Sequence, residues 1–241
     1  MALPKLDTPT YELTLPLSKK RVKYRPFTVK EQRNLLMALE SEDSETIQQN
    51  VGDILYNCTL TTDVTIDKLP ILDVEYYYLN LRAKSVGEIV DTRYRCNNVV
   101  DDKSCNNIMQ TQIDLTKVKV EVDSNMKPEV QLTDKFMIKL KYPEFGFVKN
   151  ALKFDNVNEL TFNVIARSID YIYDGEQYYY ASEVPFTEML DFVESLSSDQ
   201  FSRIETFFNN LPKLRQKLHM VCKKCNFEHN IDIEGLESFF E

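Results

Sequence analysis

The sequence predicts an α+β fold in which antiparallel β hairpins flank a mostly helical insertion. Two segments, EIVDTRYRC at residues 88–96 and QKLHMVC at residues 216–222, alternate apolar and polar residues up to a cysteine, and a period of two is typical of a strand. A second strand is predicted after each cysteine pair, at residues 113–115 and 231–233. Between the two hairpins, residues 143–211 carry apolar residues at helical spacing.

Four of the five cysteines lie where these two hairpins turn. Cys222 and Cys225 form a Cys-x2-Cys step, which brings two thiolates to the spacing of two ligands on one metal, and Cys96 and Cys105 form a second pair. Structural zinc takes four N or S ligands, so two pairs complete a site. The sequence therefore predicts a structural zinc site of Cys96, Cys105, Cys222 and Cys225 in a zinc-ribbon-like four-cysteine knuckle. This ligand set alone does not separate zinc from iron.

The first pair leaves alternatives open, because its Cys-x8-Cys spacing is longer than the ~2 to 4 intervening residues usual in such knuckles. The insert NNVVDDKS could loop out, or Asp101 and Asp102 could compete as oxygen ligands. A disulfide, unligated thiols, or a site that uses His219 or His229 are the other possibilities. We expect both histidines to be half-exposed strand residues beside the knuckle, since four thiolates already complete a structural site.

Residues 1–87 predict a hairpin followed by helices. Alternation over residues 10–15 and 21–26 indicates the two strands of the hairpin. Thr28 followed by Glu31 matches a capping box, in which each side chain accepts a hydrogen bond from the other residue's backbone N–H, and this predicts the start of the first helix.

Two further helices are predicted in this region. The first helix should end near Ser41, and Ser44 opens a second helix whose apolar stripe ends at Cys58. We expect Cys58 to be a buried core thiol and not a metal ligand. Asp73 is the expected N-cap of a third helix, which Gly87 should terminate.

Residues 88–142 predict a β region that contains the first cysteine hairpin. Apolar residues alternate with charged ones over residues 117–122 and again over residues 136–142, as expected for a half-buried antiparallel sheet. Residues 143–211 then predict a helical segment, and residues 212–241 a second cysteine hairpin that completes the ribbon with residues 88–115. The helical stripes of the segment fall at residues 158–172, 189–196 and 201–211.

Composition predicts a folded chain without a membrane span. Of its 241 residues, 43% are hydrophobic and 11% aromatic, which argues against disorder. No run reaches the ~18 apolar residues of a membrane span, and the first ten residues lack the apolar core of a signal peptide. We therefore expect a cytosolic protein, in which an odd number of cysteines favours metal binding over disulfides.

The same composition argues against an enzyme and against a small-molecule substrate. Five glycines occur, and neither GxGxxG nor GxxxxGK[ST] can be written from them. GxSxG and HExxH are also absent. With two histidines, both near the predicted knuckle, a general base would have to be a carboxylate, and no carboxylate pair stands out.

The net charge is −9, and the charged residues are unevenly distributed along the chain. Residues 1–33 carry eight Lys and Arg, Lys5 among them, against three Asp and Glu. This basic arm could contact nucleic acid or an acidic protein surface, or be one solvated strand of a hairpin. The acidic helical segment is a solvated surface or a docking face for a basic partner, and Phe239 and Phe240 give the C-terminus an apolar character.

Three stretches carry a resemblance to a known family: MALPKLDTPTYELTLP at the N-terminus, KYRPFTVKEQRNLLMALES after the first hairpin, and VCKKCNFEHNIDIEGLESFF at the C-terminus. The chain resembles the baseplate hub and hub-assembly family of T-even-type contractile-tailed bacteriophages over essentially its whole length. Residues 23–36 are the most distinctive part.

The resemblance implies a non-enzymatic viral morphogenesis protein, either a component of the baseplate hub or an assembly factor. It implies other hub proteins, and the tail tape measure protein, as partners. It also implies a location in the host cytoplasm during assembly or in the tail baseplate of the virion. The main alternative from the residues is a zinc-ribbon nucleic-acid-binding or transcription-type factor that uses residues 19–25 with Lys223 and Lys224. An acidic chain makes nucleic acid the less favoured partner.

Overall fold

The computed structural model of the chain describes residues 7–41, 43–123, 126–151 and 156–235. These residues form antiparallel sheets and seven α-helices, which confirms the predicted α+β class. The expectations for Lys5, Phe239 and Phe240 lie outside the described residues.

The helices are α1 Val29–Glu40, α2 Ser44–Cys58, α3 Ile71–Val86, α4 Phe145–Ala151, α5 Val157–Ser168, α6 Phe186–Glu194 and α7 Ser198–Asn209. The strands are β1 Tyr11–Thr14, β2 Arg21–Tyr24, β3 Ile89–Arg95, β4 Val99–Val100, β5 Lys103–Ser104, β6 Ile108–Asp114, β7 Lys119–Glu121, β8 Glu129–Gln131, β9 Met137–Leu140, β10 Ile169–Tyr173, β11 Tyr178–Tyr180, β12 Lys213–Val221 and β13 Glu228–Glu234. Short 3-10 helices occur at Ile66–Lys68 and Leu115–Lys117.

The N-terminal part packs the β1–β2 hairpin against α1, α2 and α3 around one apolar core. The predicted capping box at the start of α1 is confirmed, because Glu31 N–H donates to Thr28 Oγ1 at 3.4 Å and Thr28 N–H donates to Glu31 Oε2 at 2.6 Å. Cys58 is fully buried in this core, as expected. Gly87, with φ of 131°, ends α3.

A second core lies under the four-stranded sheet β11-β10-β9-β8. Helices α5, α6 and α7 contribute buried side chains to one face of this sheet, including Ile165, Met189 and Ile204. Antiparallel sheets commonly bury one face and leave the other open to solvent.

A third core joins the two cysteine hairpins to α3. Strand β3 pairs with β6, whereas β12 pairs with β13 along its length and with β7 at its start. Leu72 and Leu79 of α3 pack against Ile113, Leu214 and Ile233 of these strands. The two cysteine hairpins are thus joined to α3 and to each other by apolar contacts.

The third helix begins differently from the sequence prediction, which made Asp73 its N-cap. The N-cap of helix α3 is Pro70, three residues earlier, and Asp73 lies within the first turn of the helix, fully buried. Its carboxylate accepts the backbone N–H groups of Leu17 and Ser18, each at 2.8 Å. The acidic side chain therefore anchors the β1–β2 turn and does not cap its own helix.

The helix predicted over residues 158–172 is also corrected: α5 ends at Ser168, and Ile169 begins strand β10. A bulge between Ile169 and Tyr171 adds one residue to the pairing with β9. Because of that extra residue, Ile169 and Ile172 both face the core, opposite Leu140 and Ile138. Their spacing of three imitates a helical stripe in the sequence.

The four predicted regions, 1–87, 88–142, 143–211 and 212–241, stay a prediction as domains. Strand pairing connects them, since β9 pairs with β10 and β7 pairs with β12. Within the described ranges, none of the helices combines the length and apolar character that a bilayer crossing requires.

Replacing Asp73 by Ala should destabilise the chain by roughly 2–3 kcal/mol, because the partly buried N–H groups of Leu17 and Ser18 would lose their acceptor. Urea denaturation measures the change. Asp63→Ala removes an exposed carboxylate and is the matched control, which should change stability by less than about 0.5 kcal/mol. Equal midpoints for both variants would contradict the anchoring role of Asp73.

Candidate metal centre

The two cysteine hairpins meet at their turns and bring four sulfur atoms together. The Sγ atoms of Cys96, Cys105, Cys222 and Cys225 all lie within 4.8 Å of one another. Cys96 Sγ is 3.6 Å from Cys225 Sγ, and Cys105 Sγ is 3.8 Å from Cys222 Sγ. Tetrahedral thiolates at the usual Zn–S distance of about 2.3 Å are separated by about 3.8 Å, so the cluster has the dimensions of a metal site.

The cluster is shielded from solvent, with Cys225 the most accessible of the four cysteines. Cys96, Cys105 and Cys222 are buried, and Cys225 is half-buried. All five cysteines, including Cys58, are free thiols, so a disulfide does not hold the hairpins together. The arrangement brings together every cysteine that the sequence predicted as a ligand and can hold a metal ion.

The second knuckle shows how the backbone aims its two thiols at one point. Strand β12 ends at Val221, and Cys222 N–H donates to the carbonyl of Phe227 at 2.9 Å. The chain then turns back at Asn226, whose φ is 56° and whose N–H donates to the Cys222 carbonyl at 2.8 Å. Asn tolerates this left-handed conformation better than most residues, which explains an Asn directly after the cysteine.

The first knuckle repeats this geometry. Cys96 N–H donates to the carbonyl of Asn107 at 2.8 Å, and Asn106 N–H donates to the Cys96 carbonyl at 3.1 Å. Asn106 has φ of 51° and follows Cys105 as Asn226 follows Cys225. The two knuckles therefore share one backbone design despite their different spacing.

The long spacing of the first knuckle comes from a small hairpin inserted into it. Strands β4 and β5 pair over residues 99–104, and Cys105 N–H donates to the Asn98 carbonyl at 2.8 Å, which closes the base of the insert. Without the insert, Asn98 would precede Cys105 directly and the spacing would be Cys-x2-Cys. Asp101 and Asp102, with φ of 49° and 60°, form the exposed tip of the insert. They do not belong to the sulfur cluster, so the alternative of oxygen ligation is not supported.

Polar side chains of each knuckle donate hydrogen bonds to atoms of the other knuckle. Asn98 Nδ2 donates to Cys225 Sγ at 3.6 Å, and Asn107 Nδ2 donates to Cys222 Sγ at 3.4 Å. Lys224 Nζ donates to the Cys105 carbonyl at 2.9 Å. These bonds orient the sulfurs and join the hairpins in addition to any metal.

The two histidines occupy different environments, although the sequence predicted both as half-exposed. His229 is buried, and its Nε2 lies 3.2 Å from Cys96 Sγ. His219 is exposed and pairs with Asn230 through Nδ1 and Oδ1 at 3.0 Å. Neither belongs to the sulfur cluster, and His229 contacts it as a hydrogen-bond partner of Cys96.

The knuckles differ in how readily they supply thiolates. Burial raises the pKa of Cys96 to about 12. Burial also acts to raise the pKa of Cys222, but hydrogen bonds from the backbone N–H groups of Cys225 and Lys224 lower it to about 6. Thiolates are the metal-binding form, so a bound cation would have to lower the pKa of Cys96.

Sequence reasoning missed Asn98, Asn107 and His229 as partners of the sulfurs. The Cys-Asn dipeptides at residues 105–106 and 225–226 are the signal that identifies both turns, because Asn favours the left-handed conformation. The partners on the facing hairpin leave no comparable signal, since they depend on how the two hairpins are placed against each other.

Comparison with known proteins places the chain in context. A family model described as T4 bacteriophage base plate protein matches residues 8–241. Neither the curated proteins nor the solved structures contain a significant match.

Replacing Cys105 by Ser should remove bound metal from the purified protein and lower its melting temperature by more than about 10 °C, because a structural metal contributes folding free energy. Calorimetry and elemental analysis measure the two effects. Cys58→Ala is the control, since this buried cysteine lies outside the sulfur cluster, and it should keep the metal. Retention of the metal by Cys105→Ser would contradict its role as a ligand.

Deleting residues 99–104 should leave metal binding intact, because the Asn98 carbonyl and the Cys105 N–H already lie 2.8 Å apart. Elemental analysis of the shortened chain should give the same metal content per chain as the full sequence. A matched deletion of Asn97 and Asn98 together with the insert leaves Cys96 next to Cys105 and should abolish binding. Loss of metal from the first deletion would show that the inserted hairpin is required.

Proposed function

Because the chain belongs to the family of T4 bacteriophage base plate proteins, we propose that it is a non-enzymatic component or assembly factor of the central hub of the tail baseplate. The observation that carries this proposal is the family match over residues 8–241, which includes the three cores and both cysteine hairpins. The finer assignment to the hub comes from the resemblance of the N-terminal, post-hairpin and C-terminal stretches.

Zinc is the metal we assign to the centre, as a structural ion. Cys96, Cys105, Cys222 and Cys225 would hold it, and four thiolates at tetrahedral spacing suit Zn²⁺, while Fe²⁺ remains the competitor for such a site. A closed four-thiolate site leaves no open position for a substrate, so the ion would supply rigidity and no reaction. It would fasten the two ends of a long insertion to each other.

A non-enzymatic role is supported by what the two histidines do. His229 contacts a sulfur of the cluster, and His219 is paired with Asn230 on the strand surface. Both lie on the β12–β13 hairpin, where the partner of His229 is a thiol of the proposed metal cluster and the partner of His219 is a side-chain amide. A rigid adaptor that works through its surfaces needs neither as a general base.

The partners we propose are other baseplate hub proteins and the tail tape measure protein. The corresponding locations are the host cytoplasm during assembly and the tail baseplate of the virion. The rival role, a zinc-ribbon nucleic-acid-binding factor, would rely on residues 19–25 and the knuckle lysines. Lys224 is occupied by the Cys105 carbonyl, and the net charge of −9 disfavours phosphate contacts.

Capture of the affinity-tagged chain from infected cells tests the proposed function. We expect baseplate hub proteins of the same phage to be recovered, with equal yield before and after nuclease treatment. A variant with Lys20, Lys23 and Lys223 changed to Ala should recover the same proteins. Capture that disappears with nuclease, together with salt-dependent nucleic-acid binding lost in the lysine variant, would instead establish the rival role.

A further inference from the structure

One face of the four-stranded sheet is left open and carries a cluster of tyrosines. Ile138, Leu140 and Ile172 point to the helices on the buried face. On the opposite face, the register places Tyr171 beside Tyr180 and Tyr173 beside Tyr178. We call these four residues the tyrosine face: Tyr171, Tyr173, Tyr178 and Tyr180.

The four rings form a continuous aromatic surface. Tyr178 lies 4.6 Å from Tyr173, 5.1 Å from Tyr171 and 6.2 Å from Tyr180, measured between ring centroids. Tyr171 and Tyr180 are 5.9 Å apart. Each ring therefore supports its neighbours, and the surface is ordered before any partner arrives.

This surface is accessible although it is aromatic. Tyr178 is 50% exposed and Tyr180 is 45% exposed, whereas Tyr24, Tyr77 and Tyr78 are buried in the N-terminal core. Tyrosine is enriched at the energetic centres of protein interfaces, because it offers a large rigid contact area at low entropic cost. The four tyrosines already contact one another, so the tyrosine face has the composition of a binding surface.

The charges around the tyrosine face identify the kind of partner. On the neighbouring strand, Lys139 Nζ lies 5.4 Å from the centroid of the Tyr171 ring, which shows that these rings accept a cation. The carboxylates around the face and its turn are Glu129, Asp170, Asp174 and Glu176, and the lysines are Lys135, Lys139 and Lys141. Asp170 pairs with Lys139 at 3.2 Å, and Asp174 accepts hydrogen bonds from its own turn and from the Tyr179 hydroxyl. Glu129 and Glu176 are therefore the carboxylates that a basic segment would pair with.

We propose that the tyrosine face binds an arginine-rich segment of another baseplate protein, with guanidinium groups stacked on the rings and paired with the flanking carboxylates. This inference rests on the proposed function, which supplies the class of partner. Arginine is favoured over lysine because its planar group both stacks on aromatic rings and forms two hydrogen bonds to a carboxylate.

Calorimetric titration of the chain with a hexa-arginine peptide at low salt tests the inference. The double variant Tyr178→Ala with Tyr180→Ala should weaken binding by about ten-fold, because it removes the two most exposed rings. Tyr178→Phe with Tyr180→Phe keeps the rings and should bind within about two-fold of the unchanged chain. Tyr56→Ala, which removes a tyrosine 75% exposed on α2, should have no effect.

Equal affinity for the alanine pair and the unchanged chain, or no binding of hexa-arginine at millimolar peptide, would overturn the inference. Tyrosine-dependent binding of oligodeoxythymidine in preference to the peptide would also overturn it, since the face would then be a stacking platform for single strands. If peptide binding fails while the chain still captures hub proteins, the inference alone is wrong. If capture of hub proteins fails, the proposed function is wrong.

Discussion

The described fold depends on the meeting of two cysteine turns that are far apart in the sequence. Cys105 and Cys222 are 117 residues apart along the chain, yet their sulfurs lie 3.8 Å from each other. Four thiolates within 4.8 Å would repel one another, and burial already opposes ionisation of Cys96. A divalent cation would reverse this balance, because it would attract all four sulfurs and constrain the long loop between them.

The two cysteine hairpins are separated in the sequence by the second core. The β12–β13 hairpin returns to the β3–β6 hairpin only after the sheet β8–β11 and helices α5, α6 and α7 have formed that core. Helix α3 packs against both hairpins, and Asp73 at its start holds the β1–β2 turn through two hydrogen bonds. A chain fixed at one centre can present a preorganised surface, such as the tyrosine face, without reordering when a partner binds.

Most local features of the fold were predictable from the sequence, whereas most features set by distant contacts were not. The capping box of Thr28 and Glu31 depends on a short spacing that can be read directly. The four-cysteine cluster is a distant contact, and it was predictable because a structural metal requires two cysteine pairs. The role of Asp73 could not be read, because its donors come from the first hairpin. The start of strand β10 was mistaken for a helix, because a bulge places Ile169 and Ile172 on the same face although they are three residues apart. His229 is buried against Cys96 of the facing hairpin, and the residues around His229 do not reveal where that hairpin is placed.

The central claim is that one ion joins the four sulfurs, and X-ray absorption at the zinc edge of the purified protein tests it most directly. The account predicts close to one zinc per chain with four sulfur neighbours at about 2.3 Å. A shell that contains nitrogen or oxygen, fewer than four sulfurs, or no zinc in a protein that is fully folded would contradict it.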